Sequence, residues 1–132
     1  MSAQSEQPDG ALRLAFYGDD FTGSTDALEV LAFAGLRCAL FLKAPSSAKL
    51  SQLGGFDAIG VAGDSRGMSP SEMETSLPSI FEALRALNPP ILHYKVCSTF
   101  DSGPTIGSIG KALEIARAGI TRHAVPIVAG TP

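Results

Sequence analysis

Cysteine, clustered positive charge and long apolar runs are all scarce in this sequence, and each shortage closes off a functional class. Cys38 and Cys97 are the only cysteines. They show neither C-x-x-C nor metal-ligand spacing, which argues against a redox motif or a cysteine-held metal and fits reduced, buried and inert thiols. Lys+Arg 10 against Asp+Glu 13 gives a formal net charge of −3. Nucleic-acid binding through a broad basic face needs clustered Lys and Arg, and no such cluster occurs. No segment approaches the ~20 apolar residues of a membrane-spanning helix. The opening decapeptide MSAQSEQPDG also lacks the basic start and apolar stretch of a signal peptide. A cytoplasmic protein with no membrane and no nucleic-acid partner is the expectation. The 132 residues suffice for one domain of ~100–150 residues and leave no room for a second.

What is present alternates. Residues 1–10 read as a poorly ordered polar tail, because they carry too little apolar surface to offset the entropy of ordering. From residue 11 onward, apolar runs predict strands over 12–17, 37–42, 58–62, 91–96 and 124–128. Between them, three- and four-residue spacing predicts helices from Asp26 to a Gly35 cap, over 46–53, from Ser69, and over 104–118. Ser69-Pro70-Ser71-Glu72 is a capping box with proline in the first turn, although Pro78 further on should kink or shift that helix. Gly107 and Gly110 fall inside the last predicted helix, where they suggest close backbone approach to a neighbour. Phe21, Phe33 and Phe81 read as core packing. His93 and His123 read as structural or surface residues, having no second ligand at metal spacing.

Strands that are apolar almost throughout point to a parallel sheet covered on both faces, so the fold class is α/β, doubly wound. Ligands of such sheets bind beyond the carboxyl ends of the strands. The residues there form a consistent polar set: Asp19, Asp20 and Thr22 after the first strand; Asp64, Ser65 and Arg66 after the third; Lys95, Ser98, Thr99, Asp101 and Ser102 around the end of the fourth. Gly18 and Gly23 have the spacing of a phosphate-binding loop, but Ser24 stands where that loop requires Lys, so a nucleotide cradle is rejected. Paired carboxylates suit sugar hydroxyls, whose hydrogen bonds they accept and whose protons they can take. Alternatively they hold a hard cation, or Asp20 and Thr22 simply cap the next helix. The forked guanidinium of Arg66 suits a carboxylate, unless it only pairs with Asp64 on the surface. Lys95 sits in an apolar strand, where an inward ammonium needs an anion.

Taken together, YGDDFTGSTDALEVLA, the GDSR at 63–66 and HYKVCSTFDSGPTIGSIGKALEIA at 93–116 resemble the N-terminal domain of the four-carbon acid sugar kinase family, over most of residues 12–130. The resemblance implies a two-domain kinase, with this α/β domain binding a sugar acid such as threonate, erythronate or a 3-oxo form. ATP and Mg²⁺ would be held mainly by a C-terminal domain that this chain lacks, and none is expected on this chain alone. It places substrate contacts at Asp19, Asp20, Arg66, Lys95, Ser98 and Thr99; the rim residues Thr22, Asp64 and Asp101 complete the expected binding set, with Asp20 orienting or deprotonating the accepting hydroxyl and Arg66 anchoring the carboxylate. The commoner family pattern K-x-D-S-T-L-R-G-N meets KVCSTFDSGP here. Cys97 replaces an acid, for which Asp101 is the candidate to compensate, and Phe100-Asp101-Ser102 replaces Leu-Arg-Gly. The chain ends soon after the last predicted strand, so a truncated domain, inactive by itself, is the expectation. A homo-oligomer is left open. The alternatives are a non-catalytic sugar-acid module and a response-regulator-like receiver, in which Asp64 would accept a phosphoryl group.

Overall fold

A computed structural model describes residues 11–118 and 124–130. The predicted tail over 1–10 and His123 lie outside those bounds. The described elements alternate as expected: β1 (Leu14–Gly18), α1 (Phe21–Phe33), β2 (Cys38–Phe41), α2 (Ser47–Gln52), β3 (Ala58–Ala62), a 3₁₀ turn (Ser65–Gly67), α3 (Pro70–Ala86), β4 (Ile91–Lys95) and α4 (Ile109–Ala116). The strands form one four-stranded sheet in the order β2-β3-β1-β4, every pairing parallel. This order differs from the 2-1-3-4-5 arrangement of receiver domains, which sets that alternative aside.

Alternation along the strands assigns residues to two faces. Ala15 and Tyr17 of β1 join Ile59 and Val61 of β3 against Met73, Leu77, Phe81 and Leu84 of α3 and Ala112 of α4, forming the buried core. Gly18, one position beyond Tyr17, faces Ser24 of α1 on the opposite side. The helices that follow the adjacent strands β1 and β3 thus leave toward opposite faces, which opens a crevice at the carboxyl ends of those strands.

Local chemistry explains most element boundaries. The Ser69–Glu72 capping box forms, with the Glu72 N–H donating to Ser69 Oγ at 3.3 Å and the Ser69 N–H donating to Glu72 Oε2 at 2.7 Å. α3 runs unbroken through Pro78. Asn88, in the left-handed region with a φ of 54°, follows its C-terminus. Helix α1 starts five residues before the predicted Asp26, because Asp20 is its N-cap and accepts from the Gly23 N–H at 2.9 Å. Phe21 to Thr25 are weak helix formers that read as loop, and the cap overrides their propensity.

Four further expectations need correcting. The last helix begins after Ser108 rather than at 104. Gly107 precedes it with a φ of 63°, and a Cβ there would lie 2.6 Å from the backbone oxygen of Arg66. The close approach expected at Gly107 is real, whereas Gly110 has nothing nearer than Ser108 Oγ at 3.9 Å. Residues 124–128 form no strand. Val125, Ile127 and Val128 are exposed, and Pro126 between them has no N–H to give a ladder. Phe81 is core, but Phe21 and Phe33 are exposed, because α1 buries only Gly23 and Ser24.

Candidate functional site

At the carboxyl ends of β1 and β3 lies an open hollow of about 660 Å³, with Asp19, Asp20, Asp64, Arg66, Glu72 and Ser76 on its walls. That volume falls within the ~300–1,000 Å³ usual for small-molecule sites. Asp19 continues β1 directly and is held through its backbone from both neighbours. Its N–H donates to the Lys95 carbonyl at 3.0 Å, and its own carbonyl accepts from the Arg66 N–H at 3.0 Å. The side chain is only 3% exposed, and its Oδ1 has no hydrogen-bond partner among the described residues. Burial and the adjacent Asp20 carboxylate push the Asp19 carboxyl above its ordinary range, against the opposing pull of the Cys97 N–H, Lys95 and Arg66.

Asp20 is already engaged through both oxygens. Oδ1 caps α1, and Oδ2 lies 3.7 Å from Arg66 Nη1. On the other side of the guanidinium, Arg66 Nη2 donates to Asp101 Oδ2 at 2.8 Å. Thr99 Oγ1 donates to that same oxygen at 2.8 Å, so Thr99 and Arg66 together hold the Asp101 carboxyl below its ordinary range. Arg66 therefore pairs with Asp20 and Asp101 rather than with Asp64. The Asp101 pair is exposed, with side-chain exposures of 38% and 62%. Such exposed pairs are weak and screened by solvent, so a competing carboxylate can take the place of Asp101 at little cost.

Lys95 is half-buried and reaches over the first turn of α1. A Cβ at Gly23 would collide with its ammonium and with the Asp20 carboxylate, so this glycine makes room for both groups. Lys95 belongs to none of the ion pairs among the described residues. Beneath the rim, Tyr17 and Tyr94 are register partners, and their rings stack at 5.8 Å. The Tyr94 hydroxyl hydrogen-bonds to the fully buried Ser65 Oγ at 2.8 Å, and burial pushes it up to about 12. These two tyrosines support the loop that carries Arg66. In the sequence they read as apolar strand residues; their equivalent places next to the ends of neighbouring strands were the available signal.

Of the residues expected from the sequence, Asp19, Asp20, Asp64 and Arg66 meet at the hollow, and Thr99 and Asp101 join it through Arg66. Lys95 approaches from the α1 side. Thr22 and Ser98 are exposed, and Thr22 contributes its carbonyl to Thr25 Oγ1 at 2.7 Å. The two thiols are half-buried, which corrects the expectation of buried, inert cysteines. Hydrogen bonds from Thr99, with smaller help from Arg66, hold the Cys97 thiol below its ordinary range. The turn beside it carries backbone strain, because Phe100 has a φ of 55°. Among the described residues no group of three or more His, Cys, Asp and Glu side chains could hold a metal ion.

Residues 14–132 match the family described as "Sugar-binding N-terminal domain". The chain belongs to this sugar-binding family. Among curated relatives of this sugar-binding domain, the 3-oxo-isoapionate kinase of Paraburkholderia graminis is 47% identical over 121 residues, covering 92% of this chain and 26% of the relative. The 3-oxo-tetronate kinase of Methylobacterium radiotolerans is 33% identical over 108 residues, covering 82% of this chain and 25% of the relative. The sugar-binding domain thus spans about a quarter of the length of the curated relatives it matches. In a crystal structure of a DUF1537 domain from Bordetella bronchiseptica, a domain-swapped dimer with bound citrate, the same fold recurs with a TM-score of 0.68. That match is 22% identical and covers 83% of this chain and 27% of the other.

Proposed function

We propose that this chain is the substrate-binding part of an ATP-dependent kinase that phosphorylates a sugar acid of the threonate, erythronate or 3-oxo-tetronate class. The observation that carries the reading is the meeting of Asp19, Asp20 and Asp64 with Arg66 at one hollow beyond the ends of β1 and β3, with Lys95 of β4 close to Asp19. A small polyhydroxy acid offers hydroxyls to the carboxylates and its own carboxylate to the cations. Arg66 anchors the ligand carboxylate by exchanging Asp101 for it, and Lys95 adds a second positive charge near Asp19. The names of the relatives support phosphoryl transfer, and their length supports a second, C-terminal domain that holds most of the nucleotide and its Mg²⁺.

The test is to assay the protein encoded by the complete reading frame for ATP-dependent phosphorylation of threonate, erythronate, 3-oxo-tetronate and 3-oxo-isoapionate. The 132-residue chain serves as a parallel sample. Turnover is expected from the complete protein on at least one of these acids, with weak binding and no turnover from the isolated chain. Absence of phosphorylation of all four acids by the complete protein would refute the reading.

A further inference from the structure

We infer that Asp19, rather than its neighbour Asp20, is the acceptor of a ligand hydroxyl in this hollow, and that Asp20 is a positioning residue that fixes the first turn of α1 and Arg66. The inference rests on the sugar-acid reading above. The two adjacent carboxylates differ in what they already do. Both oxygens of Asp20 have partners, the Gly23 N–H at 2.9 Å and Arg66 Nη1 at 3.7 Å. Asp19 lines the same hollow, is 3% exposed, and keeps one oxygen without any donor among the described residues. A buried acceptor left without a donor costs ~1–3 kcal/mol, and a fold tolerates that cost where something else supplies the donor.

The surroundings point to an uncharged donor. Lys95 and Arg66 are close enough to pull on the Asp19 carboxyl, yet neither pairs with it. The terminal torsion of an aspartate is soft and two-fold, so a small turn presents either oxygen to the hollow. A ligand hydroxyl donates one hydrogen bond, keeps its proton and adds no charge to a rim that already has two cations. Asp20 has its orientation fixed by the cap at Oδ1 and by Arg66 beside Oδ2, which leaves it less free than Asp19 to turn toward a ligand hydroxyl.

The experiment measures binding of threonate, erythronate and unsubstituted butyrate to this chain by isotope-edited NMR titration. It is run on wild type, Asp19→Asn and Asp20→Asn. Butyrate retains the carboxylate and lacks the hydroxyls. Wild type should prefer one of the hydroxy acids to butyrate. Asp19→Asn should weaken that hydroxy acid by ~10-fold or more, as expected for a hydrogen bond to a charged acceptor, and leave butyrate unchanged. Asp20→Asn, which keeps an equally good helix cap, should lose less than about threefold in that preference.

Preference retained by Asp19→Asn, or lost more by Asp20→Asn than by Asp19→Asn, overturns the inference while leaving the sugar-acid reading intact. No preference in wild type overturns the inference as well, while the sugar-acid reading is decided separately by the phosphorylation assay. Should Asp19→Asn fail to fold, the ¹³C carboxyl resonance of Asp19 in wild type decides. It must move on adding the hydroxy acid and stay in place on adding butyrate, and equal movement or none overturns the inference.

Discussion

On one face of the sheet, α3 seats Met73, Leu77, Phe81 and Leu84 against Ala15, Tyr17, Ile59 and Val61. On the other, α1 buries only Gly23 and Ser24, both in the turn beside the hollow, while Val30 and Phe33 further along are 69% and 85% exposed. The α3 face is held by apolar burial spread over the length of a helix. The α1 face is fastened at one end by polar contacts: the Asp20 cap, and Ser24 Oγ donating to the Asp20 carbonyl at 2.6 Å. One face is therefore held by spread apolar burial and the other by polar contacts at one end, and the hollow at the carboxyl ends of β1 and β3 takes its walls from both.

Substitutions can break this comparison at graded depths. Phe81→Ala, in the packed face, should lower unfolding free energy by ~3–5 kcal/mol in urea denaturation. The matched Phe33→Ala on the open face should stay within ~0.5 kcal/mol; similar losses from the two would show that α1 is covered in solution. Gly107→Ala combines a left-handed φ with contact against the Arg66 backbone and should cost ~1–3 kcal/mol. It should also displace Arg66, read as weaker sugar-acid binding beyond the stability loss. Tyr94→Phe removes the partner of Ser65 and should cost ~1 kcal/mol. Asp20→Ala removes the α1 cap and should likewise cost ~1 kcal/mol, with the change in amide exchange confined to α1. Comparable exchange changes in α3 would contradict the separation of the two faces.

The smallest expected effect is the pH response of Asp19. The folded protein holds this proton more tightly than the unfolded chain does, since burial and Asp20 raise the carboxyl above 3.8. Its contribution to stability is thus fully present below that ordinary value and is lost as pH rises through the raised folded value. Asp19→Asn should flatten that part of the stability-against-pH curve, measured by thermal unfolding between mildly acidic and neutral buffers. An unchanged curve would count against the burial of an ionised Asp19 as its origin.

Much of this arrangement was legible in the amino-acid order. The strand over 58–62 coincides with β3, and the Ser69–Glu72 box marks the start of α3, because apolar runs and capping chemistry are local signals. The polar clusters after the strands located the rim for the same reason. Tertiary effects stayed hidden. The start of α1 depended on a cap at Asp20 that weak helix formers disguised, and the start of α4 depended on Gly107 turning beneath Arg66. The apolar residues over 124–128 carried a strand's composition without a strand's pairing. Within the site, no spacing rule could show that Asp20 is engaged through both oxygens while Asp19 keeps Oδ1 without a partner among the described residues, or that Asp101 already holds Arg66.

The empty position on Gly23 has a mechanical consequence. Because Lys95 and Asp20 share the space that a methyl group would fill, any larger residue at position 23 would have to push aside either the ammonium or the carboxylate that caps α1.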